Sequence, residues 1–306
     1  MKENNGWLLI DKHIGVTSRD IVNIISKCLN ERKVGHAGTL DPMASGLLAV
    51  AVGEATKSIF IMQNMDKVYE FKVRWGFSTT TDDMQGSVLL ESNIRPTKDE
   101  IIKTLPDFIG NIKQIPPNYS AIKISGVRSY KLARQNKEIR HKSRLVKIHD
   151  LKYKKYINKN YSVFEVICSK GTFVRSIARD LGKKLKTEAH VVELRRKYIG
   201  KFSVKNAILL DLSQKLIHSP LILKNLIPMG DILKVLPSIK LTNDEGYKIK
   251  NGQKLSVNDV KYFNEFLKDY PNYNQIEDLY CCVNDVPIAF LKIENNKIRP
   301  LRVFNV

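Results

Sequence analysis

The sharpest pattern of apolar and polar positions lies at residues 68–77. Tyr69, Phe71, Val73, Trp75 and Phe77 alternate with Glu70, Lys72, Arg74 and Gly76. Strict period-two alternation predicts a strand with one buried face and one wet face. YSVFEVIC at 161–168 predicts a second strand, and the apolar run LLAVAVG, ending at Gly53, predicts a buried one. Helical spacing appears twice. Residues 19–31 predict a short helix with Ser18 as its N-cap. In 172–186, Val174, Ile177, Ala178, Leu181 and Leu185 recur as on one face of an amphipathic helix. The two element types do not alternate as they do around a parallel α/β sheet, so a mixed α+β core is predicted.

After residue 235 the texture changes. LYCCV, IAFLKI and IRPLRVF are short β-rich runs, with Asn284-Asp285 and Asn295-Asn296 between them as turn signals. They predict a small all-β domain beginning near Leu236-Pro237, and thus domains at 1–235 and 236–306. A chain of 306 residues fits about two domains at roughly 150 residues each.

Charge adds a partner. Lys and Arg total 51 against 31 Asp and Glu, a net charge of +20. Such an excess attracts polyanions. Nucleic acid leads, an acidic membrane surface comes second, and a generally Lys-rich composition gives the same count. Residues 120–150 concentrate the excess, with nine Lys or Arg and two acids, Glu138 and Asp150. Tyr119 and Tyr130 lie beside them. Basic side chains bind phosphates and aromatic rings stack on bases, so one reading is a mobile RNA clamp. The other is a solvated loop. No apolar run approaches the ~20 residues of a membrane helix. MKENNGWLLIDK holds only four consecutive apolar residues, short of a signal peptide. The four cysteines form no C-x-x-C pair, and free thiols in a chain this large predict a reducing, cytoplasmic setting.

The chemistry is narrowed by what is missing. No G-x-G-x-x-G, G-x-x-x-x-G-K-[ST], H-E-x-x-H or G-x-S-x-G occurs. What remains is GHAGTLDPMASG, residues 35–46. Its glycines permit sharp turns or close approach of a ligand. Asp41 precedes Pro42, which biases it away from helical geometry and equally suits an N-cap before a helix that starts with proline. Arg175 falls in the first turn of the 172–186 helix, where a cation opposes the helix dipole, and Arg179 one turn on adds like charge. That placement calls for a local anion, either phosphate or a carboxylate such as Asp41. A solvated arginine is the alternative.

GHAGTLDPMASGLL followed by VGEATK resembles the TruB family of tRNA pseudouridine synthases. GWLLIDKHIGVTS at 6–18, DKVYEFKVRWG at 66–76, IPPNYSAIKISGVRSYKLAR at 115–134, CSKGTFVRSIARDLG at 168–182 and AHVVELRRKYIGKF at 189–202 are similar to that family's segments in order, and IRPLRVF resembles the closing strand of its bacterial members. The resemblance implies a pseudouridine-synthase fold: a mixed, largely antiparallel central sheet with flanking helices, plus a PUA-like C-terminal domain. It implies isomerisation of uridine 55 in the T-loop of tRNA, with no cofactor, the tRNA T-arm as partner, and a monomer needing no protein partner. It makes Asp41 the catalytic aspartate, Tyr69 the ring stacked on the target base and Arg175 the partner of the aspartate. His36 supports extruded nucleotides, Leu194 is an apolar pocket residue, and Lys12 and Lys57 are basic residues near the site. Phe173 stands where tyrosine is common and keeps the ring without its hydroxyl. His13 replaces a usual proline, and Thr80 a common aspartate. Two other readings stand beside this one. A tRNA-binding or tRNA-folding protein without catalysis would have the same scaffold. A guide-RNA-dependent synthase would need protein partners, and the bacterial-type C-terminus disfavours it.

Overall fold

The alternating segment forms the strand Lys67–Trp75, with Phe71, Val73 and Trp75 buried. Its wet face carries the ion pairs Lys72–Glu193 and Lys197–Glu70, at 2.9 and 2.5 Å. The strand stops two residues sooner than the alternation predicts. Gly76 adopts φ +87° and turns the chain, so Phe77 enters a separate hairpin, Phe77–Thr79 with Val88–Glu91. The computed structural model describes residues 5–135, 137–210 and 219–305.

Lys67–Trp75 lies near the middle of a mixed sheet. The strand order is Ile208–Leu209, Gly6–Lys12, Ser45–Val52, Ala189–Ile199, Lys67–Trp75, Tyr161–Cys168, Arg144–Asn158 and Gly110–Gln114. Pairing along this order is antiparallel except at two joints, the outer one and that between Ser45–Val52 and Ala189–Ile199. The latter is only two residue pairs long, Arg195 with Ser45 and Arg196 with Gly46. It is the seam on which the site is built.

The first predicted helix is Ser18–Leu29, but its cap is Thr17. The Thr17 hydroxyl accepts from the Asp20 amide while the Asp20 carboxylate accepts from the Thr17 amide, a reciprocal capping box. Ser18 is therefore free for another task. Its hydroxyl accepts from the Leu40 amide at 2.9 Å and donates to the Leu40 carbonyl at 3.1 Å, bracing the segment that carries Asp41. The second helix, Val174–Lys184, buries Val174, Ile177, Ala178 and Leu181 against the sheet, and Leu185 becomes its C-cap.

The basic stretch at 120–150 divides. It forms a small hairpin, Lys123–Ile124 with Val127–Arg128, and a helix, Ser129–Arg134. From Arg144 onward the chain is already a strand of the main sheet.

Beyond Pro237 a five-stranded sheet runs in the order Ser238–Lys240, Leu279–Val283, Val286–Glu294, Lys297–Val303 and Leu255–Ser256. Asn284, Asp285, Asn295 and Asn296 all have positive φ, as tight two-residue hairpin turns require. Helices Asn243–Lys250 and Phe263–Asp269 pack with this sheet around their own apolar core. A second apolar cluster joins the two sheets, in which Trp7, Met62 and Ile232 share one core with Tyr280, Phe290 and Phe304.

Candidate active site

Asp41 does not cap a helix. Gly38 takes φ +83°, and residues 41–44 close a turn in which the Ala44 amide donates to the Asp41 carbonyl at 3.0 Å. The Pro42 carbonyl accepts from the Gly15 amide at 2.8 Å, fastening this turn to the loop after the first strand. The Asp41 side chain is about a third exposed, at 32 %, and faces a cleft.

Arg175 is the anchor opposite it. Its side chain is 4 % exposed, and Nε lies 2.9 Å from Asp41 Oδ2. Nη1 lies 3.2 Å from Asp83 Oδ2 and donates to the Thr81 carbonyl at 2.7 Å. Nη2 donates to the Tyr119 carbonyl at 2.9 Å. The cation at the helix start is thus neither solvated nor left for phosphate, because two carboxylates take it. Asp83 is buried and also accepts from the Thr81 hydroxyl at 2.6 Å and the Gln85 amide at 3.0 Å. Burial pushes the Asp41 carboxyl above the usual aspartate range, the Arg175 guanidinium opposes that shift, and the nearby Asp83 charge adds to it.

The cleft has two lobes that meet at Asp41. One, of about 700 Å³, is lined by Tyr69, Phe173, Leu194 and Arg196. The other, of about 720 Å³, is lined by His36, Arg19, Arg128, Tyr130 and Arg134. Burial raises the Tyr69 phenol above its ordinary value, so it stays protonated at neutral pH. Burial and the Arg196 charge lower His36, whose Nδ1 is buried with no hydrogen-bond partner among the described residues. Phe173 is held through its backbone. Gln114 accepts from the Phe173 amide at 3.0 Å and donates to its carbonyl at 3.2 Å.

Asp41, Tyr69, Arg175, His36, Phe173 and Leu194 therefore all line one cleft. Lys12 lies beneath it. Fully buried, its ammonium donates to the carbonyls of His13 and Val16 at 2.8 and 2.7 Å. Burial lowers its pKa to about 8, while the Asp41 charge holds it up. Lys57 is elsewhere. Its ammonium is bound by Glu54 and by the Val303 carbonyl, both at 2.6 Å, so it fastens the last strand instead of facing the cleft. The exposed His13 and the partly exposed Thr80 line neither lobe. Two residues of the site escaped sequence reasoning. Asp83 sits in the polar run TTTDDMQG, which has no period, and Arg196 gains its place only through contacts more than a hundred residues away.

The family described as "TruB family pseudouridylate synthase (N terminal domain)" matches residues 26–174. The "tRNA pseudouridine synthase B" of Ehrlichia ruminantium (strain Gardel) is 42 % identical over 307 residues, covering 98 % of this chain and 99 % of that one. Its counterpart in Rhodospirillum rubrum is 39 % identical over 302 residues, covering 99 % and 97 %. Among solved structures, a chain of an H/ACA RNP bound to a substrate RNA containing 2'-deoxyuridine has the same fold, with a TM-score of 0.68, 21 % identity, and 99 % and 86 % of the two chains covered. Fold and site define a pseudouridine synthase, an isomerase. Near-full-length identity of this order settles the family: the chain belongs to the TruB family of pseudouridylate synthases.

Proposed function

We propose that this chain isomerises uridine to pseudouridine at position 55 in the T-loop of tRNA, with Asp41 as nucleophile. The observation that carries the reading is the Asp41–Arg175 pair opening onto the lobe that holds Tyr69. The relatives named tRNA pseudouridine synthase B support tRNA as the substrate. In the reaction the bond between uracil N1 and the ribose breaks, the base turns, and uracil C5 joins the ribose. The proton leaving C5 is balanced by one gained at N1, so product and substrate are isomers.

The target base must leave its stack, at a cost of a few kcal/mol. Contacts of the basic hairpin and helix at 123–134 with phosphates offset it, and the Tyr69 ring receives the base. Arg175 orients Asp41 and opposes the rise that burial imposes on its carboxyl. His36 and Phe173 add aromatic faces, Leu194 an apolar wall, and Lys12 a positive field below the carboxylate. Residues 1–235 carry the reaction, those around 120–150 serve as the clamp, and 236–306 form an accessory RNA-binding domain. The protein acts as a monomer.

The test is to incubate unmodified tRNA transcript with the purified protein alone, then to separate the nucleosides chromatographically and locate pseudouridine by mass spectrometry of fragments. Pseudouridine at position 55 is expected. Its absence from wild-type reactions with a bound transcript would overturn the reading.

A further inference from the structure

Arg196 is a buried cation whose side-chain hydrogen bonds, among the described residues, all go to uncharged groups. It is 1 % exposed. Nε donates to the Leu47 carbonyl at 2.6 Å, and Nη2 to the Gly38 carbonyl at 3.0 Å. These two carbonyls flank the turn that carries Asp41, nine residues apart in sequence. Nη1 points to the Tyr69 hydroxyl at 3.4 Å, long for such a bond, and the guanidinium carbon lies 5.9 Å from the centre of the Tyr69 ring. One side chain therefore reaches both ends of the Asp41 segment and the ring across the seam.

The backbone at this point is equally tight. Gly46 pairs with Arg196 at φ +104°, and a Cβ there would lie 2.3 Å from the Arg196 carbonyl oxygen. The seam is two residue pairs long, so few ladder bonds join the two strands there. Enclosing a guanidinium without a counter-charge is costly, and an apolar residue would fill the space more cheaply. Such a breach of the ordinary rules for a core is expected where geometry at a site outweighs stability. The planar fork supplies what an apolar residue cannot, namely donors in fixed divergent directions.

We infer that Arg196 is a positioning residue for the reaction: its fork sets the Asp41 turn against the Tyr69 ring so that carboxylate and base platform face one cavity. The inference rests on the reading in which Asp41 and Tyr69 act on a uridine. It differs from the role of Arg175, which bonds the carboxylate itself. Among the described residues, the Arg196 side chain bonds Leu47, Gly38 and Tyr69 and forms no ion pair with Asp41 or Asp83, so it acts through the backbone on either side of the Asp41 turn.

The experiment compares wild type, Arg196→Lys and Arg196→Met at saturating tRNA transcript. It reads the single-turnover rate, transcript affinity from filter binding, and the folded state from circular dichroism at 15 °C. The rate is expected to fall at least about 100-fold in both variants, with affinity within about three-fold of wild type. Lysine should not rescue, because its donors share a single nitrogen and cannot reproduce the separated Nε and Nη2 positions that meet the two carbonyls. A lysine variant near the wild-type rate shows that charge alone suffices and overturns the inference. So does a loss that lies wholly in affinity, or loss of the folded state in both variants, since Arg196 would then serve binding or stability. Wild type that binds the transcript but makes no pseudouridine sinks the functional reading instead, and leaves that failure distinct from this one.

Discussion

Arg175 Nε and Asp41 Oδ2 stand 2.9 Å apart, on a guanidinium that also holds Asp83 at 3.2 Å. One buried cation is shared by two carboxylates, and the balance among the three sets the charge of the one that faces the cleft.

The first prediction concerns that balance. The Asp41 pKa is raised by burial, so a reaction that needs the carboxylate is lost as pH falls through the raised value and is full above it. Arg175→Met removes the opposing cation and moves this limb to higher pH. It also strands Asp83 in the interior, at a cost of about 3–5 kcal/mol of stability. We expect a low rate at pH 7 that recovers partly toward pH 9, and incomplete rescue by Arg175→Lys, which lacks the planar fork. Single-turnover rates against pH decide it, and a methionine variant equal to wild type at pH 7 would refute the coupling.

Asp41→Asn preserves shape and removes the charge. No pseudouridine is expected, while transcript affinity stays within a few-fold of wild type, because the basic lining of the cleft is untouched. Near-normal turnover would strip Asp41 of its assigned role.

The third prediction tests the clamp. Lys123, Arg128, Lys131 and Arg134 lie on the small hairpin and the helix after it. Affinity for tRNA should fall steeply with salt, and each phosphate contact contributes roughly 0.7–0.9 to the log–log slope. Neutralising all four should flatten the slope. An unchanged slope would leave this segment a solvated surface feature.

The fourth concerns the joint between the two sheets. Glu54 is buried and accepts from Lys33 at 3.0 Å, Lys57 at 2.6 Å and the Asn305 amide at 2.8 Å. Although burial works against the charged form, these donors hold its carboxyl down to about 2. An acid depressed in the folded state contributes stability above its unfolded pKa, near 4.5, and loses it as pH falls toward 2. Glu54→Gln should lower Tm at pH 7 by the equivalent of about 3 kcal/mol and weaken the acid dependence of Tm between pH 4.5 and 2. Melting curves across that range measure both effects, and an unchanged acid dependence would exclude Glu54 as the clasp.

Much of the architecture was legible in local pattern. The buried face of Lys67–Trp75, the strand Tyr161–Cys168, the Val174–Lys184 helix and the Asn-rich hairpin turns each follow from periods and backbone preferences that act within a few residues. The order of segments sufficed to recognise the family, and the fold brings Asp41, Tyr69 and Arg175 from those segments to one cleft. Helices Asn243–Lys250 and Phe263–Asp269 were not legible among the β-rich runs, being short and supported by packing on the second sheet.

Tertiary structure alone decided what those residues touch. Lys57 stands beside the motif in sequence, yet the 3-10 turn Gly53–Ser58 sends its ammonium to the last strand. Asp83 and Arg196 show the converse. Arg196 meets Gly38 across 158 positions, and Arg175 bonds the carbonyl of Thr81 across 94. Periodicity reports which face of an element is buried, because neighbours along the chain share one backbone geometry. It carries no information on which distant carbonyl a buried guanidinium will reach. That is settled only when the strands take their order and the two-pair seam joins the strand after the Asp41 turn to Ala189–Ile199, the neighbour of the Tyr69 strand.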